Sequence, residues 1–306
     1  MHVVKWLALL LISSLACSGC STRRLAVDAF SDALAQGGGT YARDDDPELV
    51  KAATPFSLKL MESLLEENPR HAGLLTTAAM SFTRYAYGFV QLEADEIESD
   101  DLAGAEAMRD RAARLYLRAK RYGLRALDEE HRGFSRQFEE DPATALGAAR
   151  KKDVPALYWT AAAWAGAIAL SKDQPEMVGQ IPRMEAMMTR ALELDEAFDR
   201  GAIPAFFITY AMSRPGPQVE REALARKFFE RAVELSHGRE ASPFVALAEA
   251  VSVQNQNAQE FEELLGLALT IDAAAYPDTQ LVNLIMQRRA RWLLSRKADL
   301  FLPANE

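Results

Sequence analysis

The sequence predicts an all-α protein whose helices stack in pairs. Three observations carry that expectation. Apolar residues recur at helical spacing almost to the C-terminus, and no convincing stretch alternates with a period of two. Connections between these segments are short and carry Gly, Pro or Asp, which stop helices or start them. A short signature also recurs along the second half of the chain, as repeated structural units require.

The N-terminus stands apart. His2 and Lys5 precede an apolar run from Trp6 to Ala16, and "CSGCS" follows. That layout is a secretory signal with a processing site, and the run is shorter than the roughly 20 residues of a bilayer span. Cys17 and Cys20 are the only cysteines. A zinc site takes about four ligands, and no βαβ pattern follows that would suit a redox pair. "SGC" resembles the bacterial lipobox, which makes Cys20 the acylated first residue and residues 1–19 a lipoprotein signal peptide. Processing before Cys17 is the competing reading. Several acyl chains anchor a protein almost permanently where one does not. Ser21, standing where an Asp would retain the protein at the inner membrane, favours the periplasmic face of the outer membrane. Residues 20–45 then read as the lipidated N-terminus and a flexible tether, with a short helical pattern from Leu25 to Leu34 and a "GGGT" run. Residues 46–306 read as one all-helical domain.

Asp46 before Pro47 and Glu48 is a helix start, because aspartate caps free N–H groups and proline tolerates the first helical position. The acidic run there lacks the 12-residue alternation of a calcium loop. "PFSLKLMESLLEENP" places Leu58, Met61, Leu64 and Leu65 on one face and closes at Asn68 and Pro69. "HAGLLTTAAMSFTRYAYGFVQLEAD" follows, then "AMRDRAARLYLRAKRYGLRAL", with Leu115, Tyr122 and Leu127 among arginines. "PALYWTAAAWAGAIAL" is apolar on every side, the mark of a helix buried on several faces. "GQIPRMEAMMTRALELD", "GAIPAFFITYAM", "EREALARKFFERAVELS", "SPFVALAEAVSVQNQ", "AQEFEELLGLALTID" and "TQLVNLIMQRRARWLLSRK" complete the series.

Several of these segments align with one another. "RALELDE" at Arg190–Glu196 matches "RAVELSH" at Arg231–His237, 41 residues on, and "LALTIDA" at Leu267–Ala273, 36 further. Upstream, Met184, Met188 and Ala191 share their spacing with Ala225, Phe229 and Ala232, and with Phe261, Leu265 and Ala268. A small residue that lets helices approach, beside a large one that fills the gap, describes the second helix of a tetratricopeptide-like unit. The proline that often closes such a unit is replaced by Glu196, His237 and Ala273, so the array is degenerate. Stacked helix pairs curve and present a concave face, whose usual business is recognition.

With 35 Lys and Arg against 44 Asp and Glu, the chain carries a net charge of −9. That balance argues against a nucleic-acid partner, whose phosphates need a clustered basic face. The nearest such cluster, "QRRARWLLSRK" at 287–297, reads as arginines spread over a solvated surface with Trp292 and Leu293 turned inward. His71, His131 and His237 lie far apart, each beside a helix–helix connection and outside any HExxH arrangement. There is no GxSxG elbow and no phosphate-cradling glycine loop. The sequence thus predicts no catalysis, cofactor or metal. Aromatic residues are the better candidates for a site, since they join a large apolar body to a polar tip. Tyr85, Phe89, Tyr158, Trp159, Trp164, Phe206, Phe207 and Tyr210 are the candidate lining of an apolar ligand or partner cleft. The plainer reading makes them core, with Leu157, Ala161, Trp164 and Ile168 on one buried face.

Taken in order, "DDDPELVKAATPFSLKLMESLLEENP", "YAYGFVQLEAD", "LYLRAKRYGLRAL", "LYWTAAAWAGAIALSKD", "RALELDEAFDRGAIP", "FERAVELSHGREASPFVALAEAVSV", "FEELLGLALTID" and "LVNLIMQRRARWLL" resemble the TatT component family associated with tripartite ATP-independent periplasmic (TRAP) transporters. Each piece alone is weak; their order and extent carry the resemblance. It implies a periplasmic lipoprotein of cryptic tetratricopeptide-like repeats that forms a homotrimer around a pore. It also implies contact with the solute-binding P component of a TRAP system and passage of a small apolar or organic-acid ligand. The family carries no catalytic residues to transfer. A general tetratricopeptide lipoprotein that scaffolds a secretion or outer-membrane complex is the alternative expectation.

Overall fold

The computed structural model describes residues 28–34 and 39–303. The expected signal peptide, its cleavage point and the lipidation residue Cys20 lie outside these residues. Every regular element among the described residues is helical, as the spacing of apolar residues requires.

A short helix, α1 (residues 28–34), precedes α2 (Gly39–Ala42), α3 (Pro47–Glu67) and α4 (Ala72–Ala86). After a π-helical turn at Tyr87–Gln91 come α5 (Leu92–Ile97), α6 (Leu102–Glu130), α7 (Phe134–Glu140) and α8 (Pro142–Gly147). Then follow α9 (Val154–Ala169), α10 (Pro175–Val178), α11 (Ile181–Leu194), α12 (Ala202–Ser213) and α13 (Gln218–Ser236). A second π-helical turn, Ala248–Ser252, continues α14 (Ser242–Leu247), ahead of α15 (Ala258–Thr270), α16 (Gln280–Ser295) and α17 (Lys297–Leu300).

Side-chain caps set several starts. Asp46 accepts from the amides of Glu48 and Leu49, as its place before Pro47 predicts. Asp101, Asp141 and Asn257 cap α6, α8 and α15 in the same way. His71 caps α4, His131 ends α6 and His237 ends α13, so the three histidines among the described residues sit at helix termini. Helix α3 starts at Pro47 as expected and runs straight through Pro55. Its buried residues Val50, Leu58, Met61 and Leu65 pack on both sides of that proline, which outweighs one missing backbone bond.

Helix α9 is the hub. It packs against α4, α6 and α11, and its residues Leu157, Ala161, Ala163 and Ala167 are wholly enclosed. The long helix α6 lies especially close to it. A Cβ on Gly123 of α6 would meet Thr160 Oγ1 of α9 at 2.0 Å, and one on Gly166 of α9 would meet the Tyr116 ring of α6 at 2.7 Å. Each helix thus offers a glycine to a larger residue of the other. A second apolar cluster joins α12–α16, and the stacked rings of Phe207 and Phe228, 4.8 Å apart, link the two halves. The aligned small residues Ala191, Ala232 and Ala268 are all buried at helix contacts.

The last long helix returns to the first. Helix α16 packs on α2 and α3. Arg288 donates to Glu96 (2.5 Å) and Glu48 (3.2 Å), and Arg43 pairs with Asp278 at 2.8 Å. Arg289 corrects the reading of a solvated arginine face at 287–297. It is buried between Asp95 (3.2 Å) and Glu249 (2.6 Å), with its guanidinium 4.2 Å over the Trp292 ring. Of the four arginines in that segment, Arg291 alone is plainly exposed.

The tether expected over 20–45 is partly docked. Asn68 donates to Asp28 (2.6 Å), His71 Nε2 lies 3.0 Å from Asp32, and Leu34 packs on the core. Tyr41 hydrogen-bonds Ser57 as well. A helical pattern with an apolar stripe buries that stripe when a neighbour offers a groove.

Candidate functional site

A cleft of about 760 Å³ opens where the start of α4, the end of α6 and the start of α9 converge. His71, Ala72, Thr76, Thr77, Met80 and Arg84 line it from α4, and Ala126 and Glu130 from α6. Lys152, Asp153, Pro155, Ala156 and Trp159 form its floor, and Phe198 and Asp199 its far wall. Asp32 of α1 stands at its mouth.

Aromatic packing shapes the wall. Trp159 meets Tyr158 edge-on at 4.8 Å, and Tyr158 in turn lies 5.3 Å from Phe198. Burial pushes the Tyr158 phenol well above its ordinary value, so it stays neutral. The Arg84 guanidinium lies 4.8 Å over the Trp159 ring and reaches Asp199 Oδ2 at 3.1 Å. Asp199, Arg200 and Gly201 follow one another in the left-handed region, at φ 44°, 57° and 92°. That conformation costs about 1–2 kcal/mol at each non-glycine residue. It is held by Arg84 on Asp199, by Arg200 on Asp199 (2.7 Å) and by Arg200 on Glu240 (2.6 Å). Burial raises the Glu240 carboxyl, while Arg200 opposes that shift.

The floor is polar and mostly paired. Lys152 engages Glu130. Asp153 Oδ2 accepts from the Arg150 amide and lies 2.8 Å from His131 Nε2. Its other oxygen, Oδ1, is buried without a hydrogen-bond partner among the described residues. The cleft therefore combines an apolar wall with fixed charges, a lining suited to holding a ligand in one orientation. Among the described residues no group of three or more His, Cys, Asp or Glu is placed to hold a metal ion.

The eight aromatic candidates fall in several places. Trp159 lines the cleft and Tyr158 supports it from behind. Phe89 lines a separate apolar pocket of about 130 Å³ between α3, the first π-helical turn and α16. Tyr85 is buried beside Phe89, with Arg111 over its ring. Trp164 is enclosed against Phe138. Phe206, Phe207 and Tyr210 stack on one another at the junction with α13. Sequence reasoning missed His71, Met80, Arg84, Asp153 and Asp199. The run "FDRG" carried the one signal available, a glycine two residues after an aspartate, a pairing that marks turns.

The chain is all-α with a wide, mixed-polarity cleft at its hub. Residues 43–301 match the model of the TRAP transporter T-component family, and the chain belongs to that family. It is thus a component associated with a TRAP transporter. It is also 29% identical over 311 residues to an uncharacterized protein of Treponema pallidum (strain Nichols), with 95% of each chain covered. Among the described residues, no helix is long and apolar enough to cross a membrane.

Proposed function

We propose that this chain is a lipid-anchored periplasmic adaptor that binds the solute-binding P component of a TRAP transporter. It has no catalytic role in this reading. The observation that carries the proposal is the family match over residues 43–301, joined to the cleft around Trp159. Met80, Pro155, Trp159 and Phe198 suit the apolar body of a small ligand. Arg84, with 47% of its side chain exposed, suits an acidic group on it. The chain works as a homotrimer, with degenerate tetratricopeptide-like pairs as its frame.

Cys20 carries the lipid, and the periplasmic leaflet of the outer membrane receives it. Seven residues lie between Cys20 and Asp28, a reach of at most about 28 Å.

Native mass spectrometry of the purified mature chain, alone and with its cognate solute-binding protein, tests the proposal. A trimer, a complex between the two proteins and a bound small molecule lost in Trp159→Ala are the expected results. A monomer that ignores the solute-binding protein overturns it.

A further inference from the structure

Helix α6 carries seven basic residues, and they divide by face. Arg109 turns toward Asp95 and Glu98, and Lys120 toward Gln180. The other five, Arg111, Arg114, Arg118, Arg121 and Arg125, recur at intervals of 3, 4, 3 and 4. At 3.6 residues per turn they fall within an arc of about 80° and span about 21 Å of helix. Four are exposed, and Arg118 keeps 40% of its side chain open. In a chain of net charge −9 this is a concentrated basic stripe.

Aromatic rings hold it in place. Arg111 lies over Tyr85 (5.6 Å) and donates to its hydroxyl (3.2 Å). Arg118 lies over Phe82 at 5.5 Å, and Arg125 over Tyr122 at the same distance. The stripe's charge is barely offset from within. Glu62 lies 3.4 Å from Arg118 but shares its charge with Lys59 (2.6 Å) and accepts from Tyr122 (2.8 Å). Arg114 and Arg121 make no ion pair among the described residues, and neither does Asp110 beside them. Three guanidiniums fixed on rings frame two, Arg114 and Arg121, that have no ion pair among the described residues and are free to meet carboxylates.

The stripe ends beside the cleft. Arg125 donates to the Pro69 carbonyl at 2.9 Å, two residues before His71 at the mouth. A partner seated on these arginines would lie against that opening.

We propose that the five-arginine stripe of α6 is the docking surface for an acidic face of the solute-binding protein. The inference rests on the adaptor reading above and names where that contact is made. Fixed, evenly spaced guanidiniums favour a protein surface with placed carboxylates over the diffuse charge of a bilayer.

The test is a calorimetric titration of the mature chain with its cognate solute-binding protein, at low and moderate salt. The chain is compared with Arg114→Glu/Arg121→Glu and with Arg114→Lys/Arg121→Lys. Both side chains are exposed, so the melting temperature should not move. The charge-reversed variant should bind at least about tenfold more weakly, with a shallower salt dependence, and the lysine variant should lie between it and the parent. If the parent binds and the reversed variant binds equally well, the stripe is not the docking surface, while the adaptor reading stands. If the parent itself does not bind, the adaptor reading fails and takes the stripe with it. Two further results overturn the stripe alone. One is a change of oligomeric state in the reversed variant by ultracentrifugation. The other is loss of binding to phosphatidylglycerol-containing vesicles with partner affinity unchanged.

Discussion

Trp164, Lys120 and Gln180 form a small device inside the hub. Gln180 Oε1 accepts from Trp164 Nε1 (2.8 Å) and from Lys120 Nζ (3.1 Å), and the ammonium lies 3.6 Å from the centre of the indole. Trp164→Ala should therefore destabilise the fold by about 3–5 kcal/mol, the usual cost of deleting a buried large aromatic; chemical denaturation measures it. Burial lowers Lys120 to about 8 from 10.5. Between those values the unfolded chain holds a proton that the folded chain has released, so stability rises with pH across that window. Below it the burial penalty is fully present. The gap in melting temperature between Lys120→Met and the parent should accordingly shift in the parent's favour from pH 8 to pH 10.5. A constant gap would contradict the assignment. Trp164 was legible as a core residue because alanines flank it at helical spacing. Lys120 was not, for it sits in an arginine-rich run whose inward and outward positions only the packing distinguishes.

At the scale of elements, the crossing of α6 and α9 depends on the absence of two side chains. Gly166→Ala gains helix propensity of about 1 kcal/mol, yet its new methyl would lie 2.7 Å from the Tyr116 ring. Tyr116 is 2% exposed and donates to Gln91, so it has little room to yield. The substitution should cost about 1–3 kcal/mol net of that gain, as overpacked cores do, and thermal denaturation would register it. Helix existence and the apolar character of α9 followed from periodicity alone. The two π-helical turns did not, because one extra residue in a turn leaves the pattern of apolar residues almost unchanged. Nor did the cleft, whose lining comes from three helices, the 198–199 turn and α1. Trp159 was the one candidate that reached it; its charged neighbours read in sequence as helix ends.

The first and last long helices of the domain are joined to each other. Arg288 gathers Glu48, Glu93 and Glu96, joining α16 to α3 and α5. Arg288→Ala should cost on the order of 1 kcal/mol, because the pairs are partly exposed. Hydrogen exchange should rise together in the first turns of α3 and along α16, and a rise in one alone would argue against a shared closure. Cys20→Ser should release a folded protein from membranes into the soluble fraction; persistence in the membrane fraction would count against the lipid. The sequence could show a series of helices but not that the series closes, since nothing local distinguishes an arginine that finds a partner 240 residues away.

That closure bears on how the chain acquires its shape. The surfaces of α2 and α3 that receive α16 find their cover in a segment more than 200 residues further along the chain. Contacts between such distant segments form slowly. The native topology is thus a clasp that fastens late in folding, and a shortened chain ending before residue 280 should leave α3 an open, adhesive edge.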